Sequence, residues 1–150
     1  MRSFRRSLRR LLALLGALAI GAGVVGCSSG STSLEMHDPW IRPPTAPGAP
    51  AAGYLTIANT GTARETLVGA RSAIATSVEV HETSTDGGMA GMHPIDRLEI
   101  EPGATVTLEP SGYHLMLMGV QALVVGDTVE ITLEFEKSGP VTIEFVVREG

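Results

Sequence analysis

Strict alternation of apolar and polar residues near the C terminus constrains the fold more than any other feature of the chain. In residues 128–136, four apolar residues alternate with threonine and glutamate, and residues 141–147 repeat the pattern after Ser138-Gly139-Pro140. Because side chains of a strand alternate between its two faces, this period of two predicts two strands that each bury one face. The turn residues between them predict a hairpin.

Shorter segments carry the same alternation, separated by glycine and proline turns, and helical patterns are nearly absent. The further predicted strands contain residues 54–59, 77–81, 98–100, 106–108 and 114–118. Short strands with this punctuation predict an all-β domain, an antiparallel sandwich or barrel. The proline-rich segment 38–50 is predicted to be an extended edge strand or a loop.

The N terminus predicts an export signal of the lipoprotein type over residues 1–26. Residues 1–10 contain five arginines and no acid, and residues 11–25 are all apolar or glycine. The sequence Val24-Val25-Gly26-Cys27 matches a bacterial lipobox, which predicts that Cys27 becomes the lipidated first residue. Residues 27–33 then form the lipidated cysteine and a flexible tether, and residues 34–150 form one domain. We expect the protein to be lipid-anchored outside the cytoplasmic membrane or in the periplasm. Export by the general or the twin-arginine route stays open.

The charge of the exported part argues against nucleic acid as a partner. The chain has 11 basic and 16 acidic residues, and the first 26 residues hold five of the basic ones and none of the acidic ones. Six basic residues against 16 acidic ones leave no basic surface for a phosphate backbone.

Histidines and methionines cluster between residues 81 and 118. His81 is predicted to lie on the polar face of its strand, opposite the face of Val78 and Val80. His114 and Met116 share one strand face, and Met92 lies in the glycine-rich stretch 86–93, which we expect to be a loop that can fold over a site.

The donor types of this cluster favour monovalent copper. Thioether sulfur is soft and neutral, and imidazole completes a set that suits Cu(I). Calcium and magnesium require oxygen ligands, and zinc prefers thiolate, imidazole or carboxylate. A blue-copper centre would need a thiolate, and the only cysteine of the chain is Cys27.

The spacing of these residues resembles that of the PCuAC family of periplasmic copper chaperones. Ten, twenty-one and one residues separate His81, Met92, His114 and Met116, and this matches the family pattern H-x10-M-x21-H-x-M. Further segments that look like the family are Pro39-Trp40-Ile41-Arg42, Ala51-Ala52-Gly53-Tyr54, Val80-His81-Glu82 and residues 112–119.

The resemblance implies a cupredoxin-like Greek-key β-barrel that binds one Cu(I) through those four side chains near its surface, without catalysis. It also implies delivery of copper towards the CuA centre of cytochrome c oxidase, with that subunit or a thioredoxin-like copper chaperone as acceptor. Met89 and His93 flank Met92 and could supply auxiliary contacts, and Met118 shares the face of Met116.

Two alternatives stay open at this level. Sequestration of copper for resistance would use the same ligands as delivery. A lipoprotein that binds no metal and presents its loops to another protein would use none of them. No serine-nucleophile arrangement and no phosphate loop before a helix is present, so no enzyme is predicted.

Overall fold

The computed structural model describes residues 30–84 and 91–150. The predicted signal, the lipidation site Cys27 and Met89 therefore lie outside the described residues. No helix within those two ranges is long and apolar enough to cross a membrane.

Ten strands make up the described chain, in agreement with the predicted all-β class. They are β1 (Leu34–Arg42), β2 (Ala51–Asn59), β3 (Glu65–Arg71), β4 (Ser77–Ser84), β5 (Gly91–Pro94), β6 (Leu98–Ile100), β7 (Thr105–Leu108), β8 (Tyr113–Met118), β9 (Thr128–Phe135) and β10 (Gly139–Val147).

The strands form a single sheet that closes on itself. Their order is β5-β4-β8-β7-β2-β1-β10-β9-β3-β6, and additional pairings join β4 to β3 and β8 to β2. The ring β4-β8-β2-β1-β10-β9-β3 is thus a barrel, with β5, β6 and β7 attached to it. Most pairings are antiparallel, as predicted, but β1 pairs with β10 and β7 with β8 in parallel.

The structure confirms the C-terminal hairpin that the alternation predicts, but its turn lies slightly earlier in the chain than predicted. β9 and β10 pair from Phe135 opposite Gly139 to Thr128 opposite Val146. Gly139 has a positive φ of 73° and already belongs to β10, so residues 136–138 form the connection. Phe145 and Val147 are fully buried on the inner face.

Strand β1 corrects the expectation of an edge strand or loop for residues 38–42, whereas residues 43–50 form a loop between β1 and β2 as predicted. It lies between β2 and β10 and is therefore internal to the sheet. The register with β2 shifts between His37 and Trp40, and Asp38 adopts a positive φ of 47°. This bulge accommodates Pro39, which has no N–H to donate to a ladder. The other prolines of the segment lie beyond β1.

A fully buried carboxylate ties β3 to the β9–β10 turn. Glu65 accepts hydrogen bonds from the backbone N–H groups of Thr66, Lys137 and Ser138 and from the Ser138 hydroxyl, at 2.7–3.0 Å. Burial raises the pKa of Glu65, but these hydrogen bonds outweigh it and leave that pKa below its ordinary value. The ionised side chain is therefore part of the fold.

Candidate metal centre

The register of β4 against β8 brings the two central histidines together. His81 is paired directly with His114, and Glu79 is paired with Met116 on the same face. Val80 and Leu115 form the intervening pair and point into the core, where both are buried. The structure thus shows the predicted division of this strand pair into a core face and a face that carries His81, His114 and Met116.

Both imidazole rings are buried even though they lie on the face opposite the core valines. The relative exposure is 7% for His81 and 5% for His114, and the ring centroids lie 5.8 Å apart. Two imidazole nitrogens that each lie about 2 Å from one metal ion place their ring centroids roughly 5–6.5 Å apart. The observed separation therefore allows both rings to bind a single ion.

Each ring uses one nitrogen for a hydrogen bond that fixes its orientation. His81 Nε2 lies 2.9 Å from the Glu79 carboxylate, and His114 Nδ1 lies 3.2 Å from the Gly112 carbonyl oxygen. Since both partners are acceptors, these nitrogens carry the protons. The other nitrogens, His81 Nδ1 and His114 Nε2, are then lone-pair donors.

Those two lone pairs are buried and find no hydrogen-bond partner among residues 30–84 and 91–150. A buried acceptor without a partner is costly, and such groups are rare in folded proteins. A metal ion that accepts both lone pairs would remove this cost. Burial lowers the pKa of His114, which keeps its Nε2 lone pair free of a proton. The Gly112 carbonyl opposes that shift, and the nearby His81 and Arg42 add to it.

The two methionines of the predicted set lie beside the histidines. Met116 is half-buried and occupies the next same-face position of β8. Met92 is 57% exposed and is paired with Thr83 across the β4–β5 ladder. Because same-face pairs alternate, Met92 lies on the face that carries His81.

The position of Met92 differs from the predicted loop. Residues 91–94 form the short strand β5 on the edge of β4, and the glycine-rich residues 85–90 lie outside the described residues. A four-residue strand is too short to show a period in the sequence. The pairing with β4 nevertheless places the thioether next to the histidine pair.

Two of the predicted auxiliary residues, His93 and Met118, belong to the described residues. His93 is paired with Glu82 on the other face of the strand, and its Nε2 lies 3.0 Å from the Ser84 hydroxyl. Met118 is 40% exposed and is paired with Ser77, one same-face step beyond Met116.

An open cavity of about 330 Å³ lies over the site. His114, Met92 and Met116 line it, together with Arg42 from the end of β1. The Arg42 guanidinium lies 5.7 Å from the centroid of the Tyr54 ring. Sequence analysis missed a role for Arg42 and for Glu79. Only the position of Glu79 two residues before His81, on the same strand face, could have indicated a contact.

Comparison with known proteins places the chain in a family. A family model described as "Putative lipoprotein LpqE-like" matches residues 34–147, and the chain belongs to this family of PCuAC-type proteins. A protein of Leifsonia xyli subsp. xyli described as "Putative lipoprotein Lxx21020" is 32% identical over 149 residues, covering 89% of both chains.

Solved structures of PCuAC domains share the fold. The copper-bound PCuAC domain from PmoF2 is 29% identical, with a TM-score of 0.67, and the match covers 80% of this chain and 97% of that one. The CuI-DR1885 solution structure from Deinococcus radiodurans is 33% identical with a TM-score of 0.60, covering 77% and 79%. The cupredoxin-like barrel predicted from the family resemblance is thus confirmed.

Proposed function

We propose that this protein is an extracytoplasmic metallochaperone that carries one Cu(I) ion. The proposed ligands are His81 Nδ1, His114 Nε2 and the thioether sulfurs of Met92 and Met116. The observation that carries the proposal is the pair of buried imidazole lone pairs, which have no hydrogen-bond partner within residues 30–84 and 91–150 and share a sheet face with two methionines.

The donor set determines which metal is proposed. Two neutral nitrogens and two neutral soft sulfurs add no charge to the site, and soft donors select monovalent copper. The similar domains include one described as copper-bound and one as the Cu(I) form, which supports the same cargo here.

A carrier must release its metal, and the positions of the ligands suit release. The histidines are buried, whereas Met92 is largely exposed and Met116 borders the cavity. An incoming donor can therefore displace the outer thioethers first and the imidazoles afterwards. The protein needs no catalytic step for this exchange.

Anchoring at a membrane is part of the proposal. The LpqE-like family and the Leifsonia relative are both described as lipoproteins, and Cys27 is the proposed lipid attachment site. Leu34 begins β1 next to the proposed tether, and Arg42 at the other end of β1 lines the cavity. At about 3.3 Å per residue these two ends of β1 lie roughly 26 Å apart, which leaves room for a partner.

The proposed destination is the CuA centre of cytochrome c oxidase, reached directly or through a thioredoxin-like copper chaperone. Mixing the Cu(I)-loaded chain anaerobically with an apo-oxidase fragment should produce the CuA absorption after reoxidation. Retention of copper by the loaded chain against such acceptors would instead indicate sequestration.

Anaerobic titration against a chromophoric Cu(I) chelator tests the site itself. We expect one tight Cu(I) per chain, and its loss in His114→Ala and Met116→Leu. The matched control is Met118→Leu, the same change at the next same-face position of β8, and it should retain binding. Full retention by the His114 variant would refute the site, and absence of binding by the natural chain would refute the function.

A further inference from the structure

Arg42 differs from the other arginines of the described chain in having no acidic partner. Four of the five arginines in residues 30–84 and 91–150 form ion pairs: Arg64 with Glu99 and Glu101, Arg71 with Glu134, Arg97 with Glu136, and Arg148 with Asp38. No such contact is present for Arg42 within those ranges, and its guanidinium lies over the Tyr54 ring instead.

The unpaired positive charge of Arg42 lies at the cavity over the proposed copper site. It is the only charged side chain among the described residues that line the cavity beside His114, Met92 and Met116. The other lining groups are the hydroxyl-bearing Thr83 and Ser111 and apolar or aromatic residues of β2 and its neighbouring loops. The protein outside the signal carries 16 carboxylates, yet none of those described faces this cavity.

We propose that this cavity is a binding subsite for a thiolate of the molecule that exchanges copper with the protein, and that Arg42 is the cation that attracts it. This inference rests on the proposed Cu(I) site. A cavity of about 330 Å³ admits a side chain or a small thiol, and an arginine with free donors binds anions well. A soft anionic sulfur is the donor that can compete with thioethers for Cu(I).

The exchange step balances without any redox change. The thiol loses its proton to solvent, and the thiolate forms a Cu–S bond while the Cu–S bond to Met92 or Met116 breaks. Copper remains Cu(I) throughout. The guanidinium favours the thiolate over the thiol at this point, because a nearby positive charge lowers a thiol pKa.

Stopped-flow transfer from the Cu(I)-loaded full chain in detergent tests this role. The acceptors are dithiothreitol, which reacts as a thiolate, and neocuproine, a neutral chelator. At low salt we expect Arg42→Gln to slow transfer to dithiothreitol about 5–10-fold and transfer to neocuproine less than about twofold. Arg42→Lys should recover part of the rate, and added salt should reduce the difference between the natural chain and Arg42→Gln.

Arg71→Gln is the matched control, because it removes the same charge from a residue that does not line the cavity. Equal rates for the natural chain and Arg42→Gln with dithiothreitol, or equal slowing with both acceptors, would overturn the thiolate subsite. Copper content is measured before mixing. A natural chain that retains no Cu(I) would overturn the proposed function itself. A loaded chain whose transfer rate does not depend on Arg42 would overturn only the thiolate subsite.

Discussion

His81 and His114 are direct cross-strand partners whose ring centroids lie 5.8 Å apart, although they belong to strands well separated in the chain. Each ring is held by a hydrogen bond at one nitrogen and offers the other nitrogen, buried and unbonded within the described residues. This geometry therefore allows both rings to bind one ion through a nitrogen each.

Glu79 should contribute to copper affinity without contacting copper. Its carboxylate accepts a hydrogen bond from the Nε2–H group of His81 at 2.9 Å and so keeps the Nδ1 lone pair available. Loss of such a partner typically weakens metal binding 10–100-fold, so we expect roughly a 10-fold weaker Cu(I) affinity in Glu79→Ala. Competition with a chromophoric chelator measures it. Glu130→Ala, an exposed glutamate of β9, is the control and should bind as the natural chain does.

His93 should be dispensable for copper binding. It lies on the opposite face of β5 from Met92 and contacts the Ser84 hydroxyl. We expect His93→Ala to keep its Cu(I) affinity within about twofold, whereas His81→Ala should lose tight binding. A large loss in the His93 variant, measured by the same competition, would mean that this histidine reorients to reach the metal.

Cu(I) should stabilise the folded protein, because the proposed ligands come from three strands that meet only in the closed sheet. Free Cu(I) at 100 times the dissociation constant adds about 2.7 kcal/mol to the free energy of unfolding. Anaerobic thermal unfolding should show a clear rise in Tm for the natural chain and for Met118→Leu. Met116→Leu should show little rise, and an equal rise there would contradict its role as a ligand.

Glu65 should support the fold most strongly at neutral pH. Replacing it with glutamine leaves buried donors of Thr66, Lys137 and Ser138 poorly satisfied, and we expect a loss of about 3 kcal/mol in the free energy of unfolding. Urea unfolding at pH 7 measures the loss. Glu144→Gln, on the exposed side of β10, should change stability by less than about 0.5 kcal/mol.

The same variant tests the pKa of Glu65. A carboxyl whose pKa is lowered by folding contributes stability above its unfolded value, which is near 4.5, and loses it as the pH falls through the lower folded value. The difference in unfolding free energy between the natural chain and Glu65→Gln should therefore be constant above about pH 5.5 and shrink below pH 4.5. A difference independent of pH would show that folding leaves the pKa of Glu65 unchanged.

The period of two predicted the strands whose alternation is regular and missed those where it is interrupted. The β9–β10 hairpin was predicted because eight consecutive residues of β9 alternate without a break. β3 was not predicted, because its buried residue Glu65 is polar and its pairing with β9 shifts register between Leu67 and Gly69. The internal position of β1 was hidden by Pro39, whose accommodation depends on a bulge in the pairing with β2.

The predicted ligand set depended on spacing, on the softness of the donors and on which strand face each residue occupies, and the last of these is a local property that the sequence contains. It placed His114 and Met116 on one face and Leu115 in the core, as the structure does. The alternation within one strand does not show which strands lie next to it, so the position of Arg42 at the cavity could not be predicted. The orientation of His93 away from Met92 could not be predicted, because the sequence does not show that residues 91–94 form a strand.

The alternation along β4 links correct strand pairing to the assembly of the proposed copper site. Val80 and His81 are neighbours in the chain, and the first packs in the core while the second is a proposed copper ligand. A molecule that paired β4 one residue out of step would bury Glu79 and expose its valines, and its imidazole would also turn inward. Such a misfolded molecule would lack the proposed copper site. Correct pairing of β4 and the capacity to bind copper would therefore arise together.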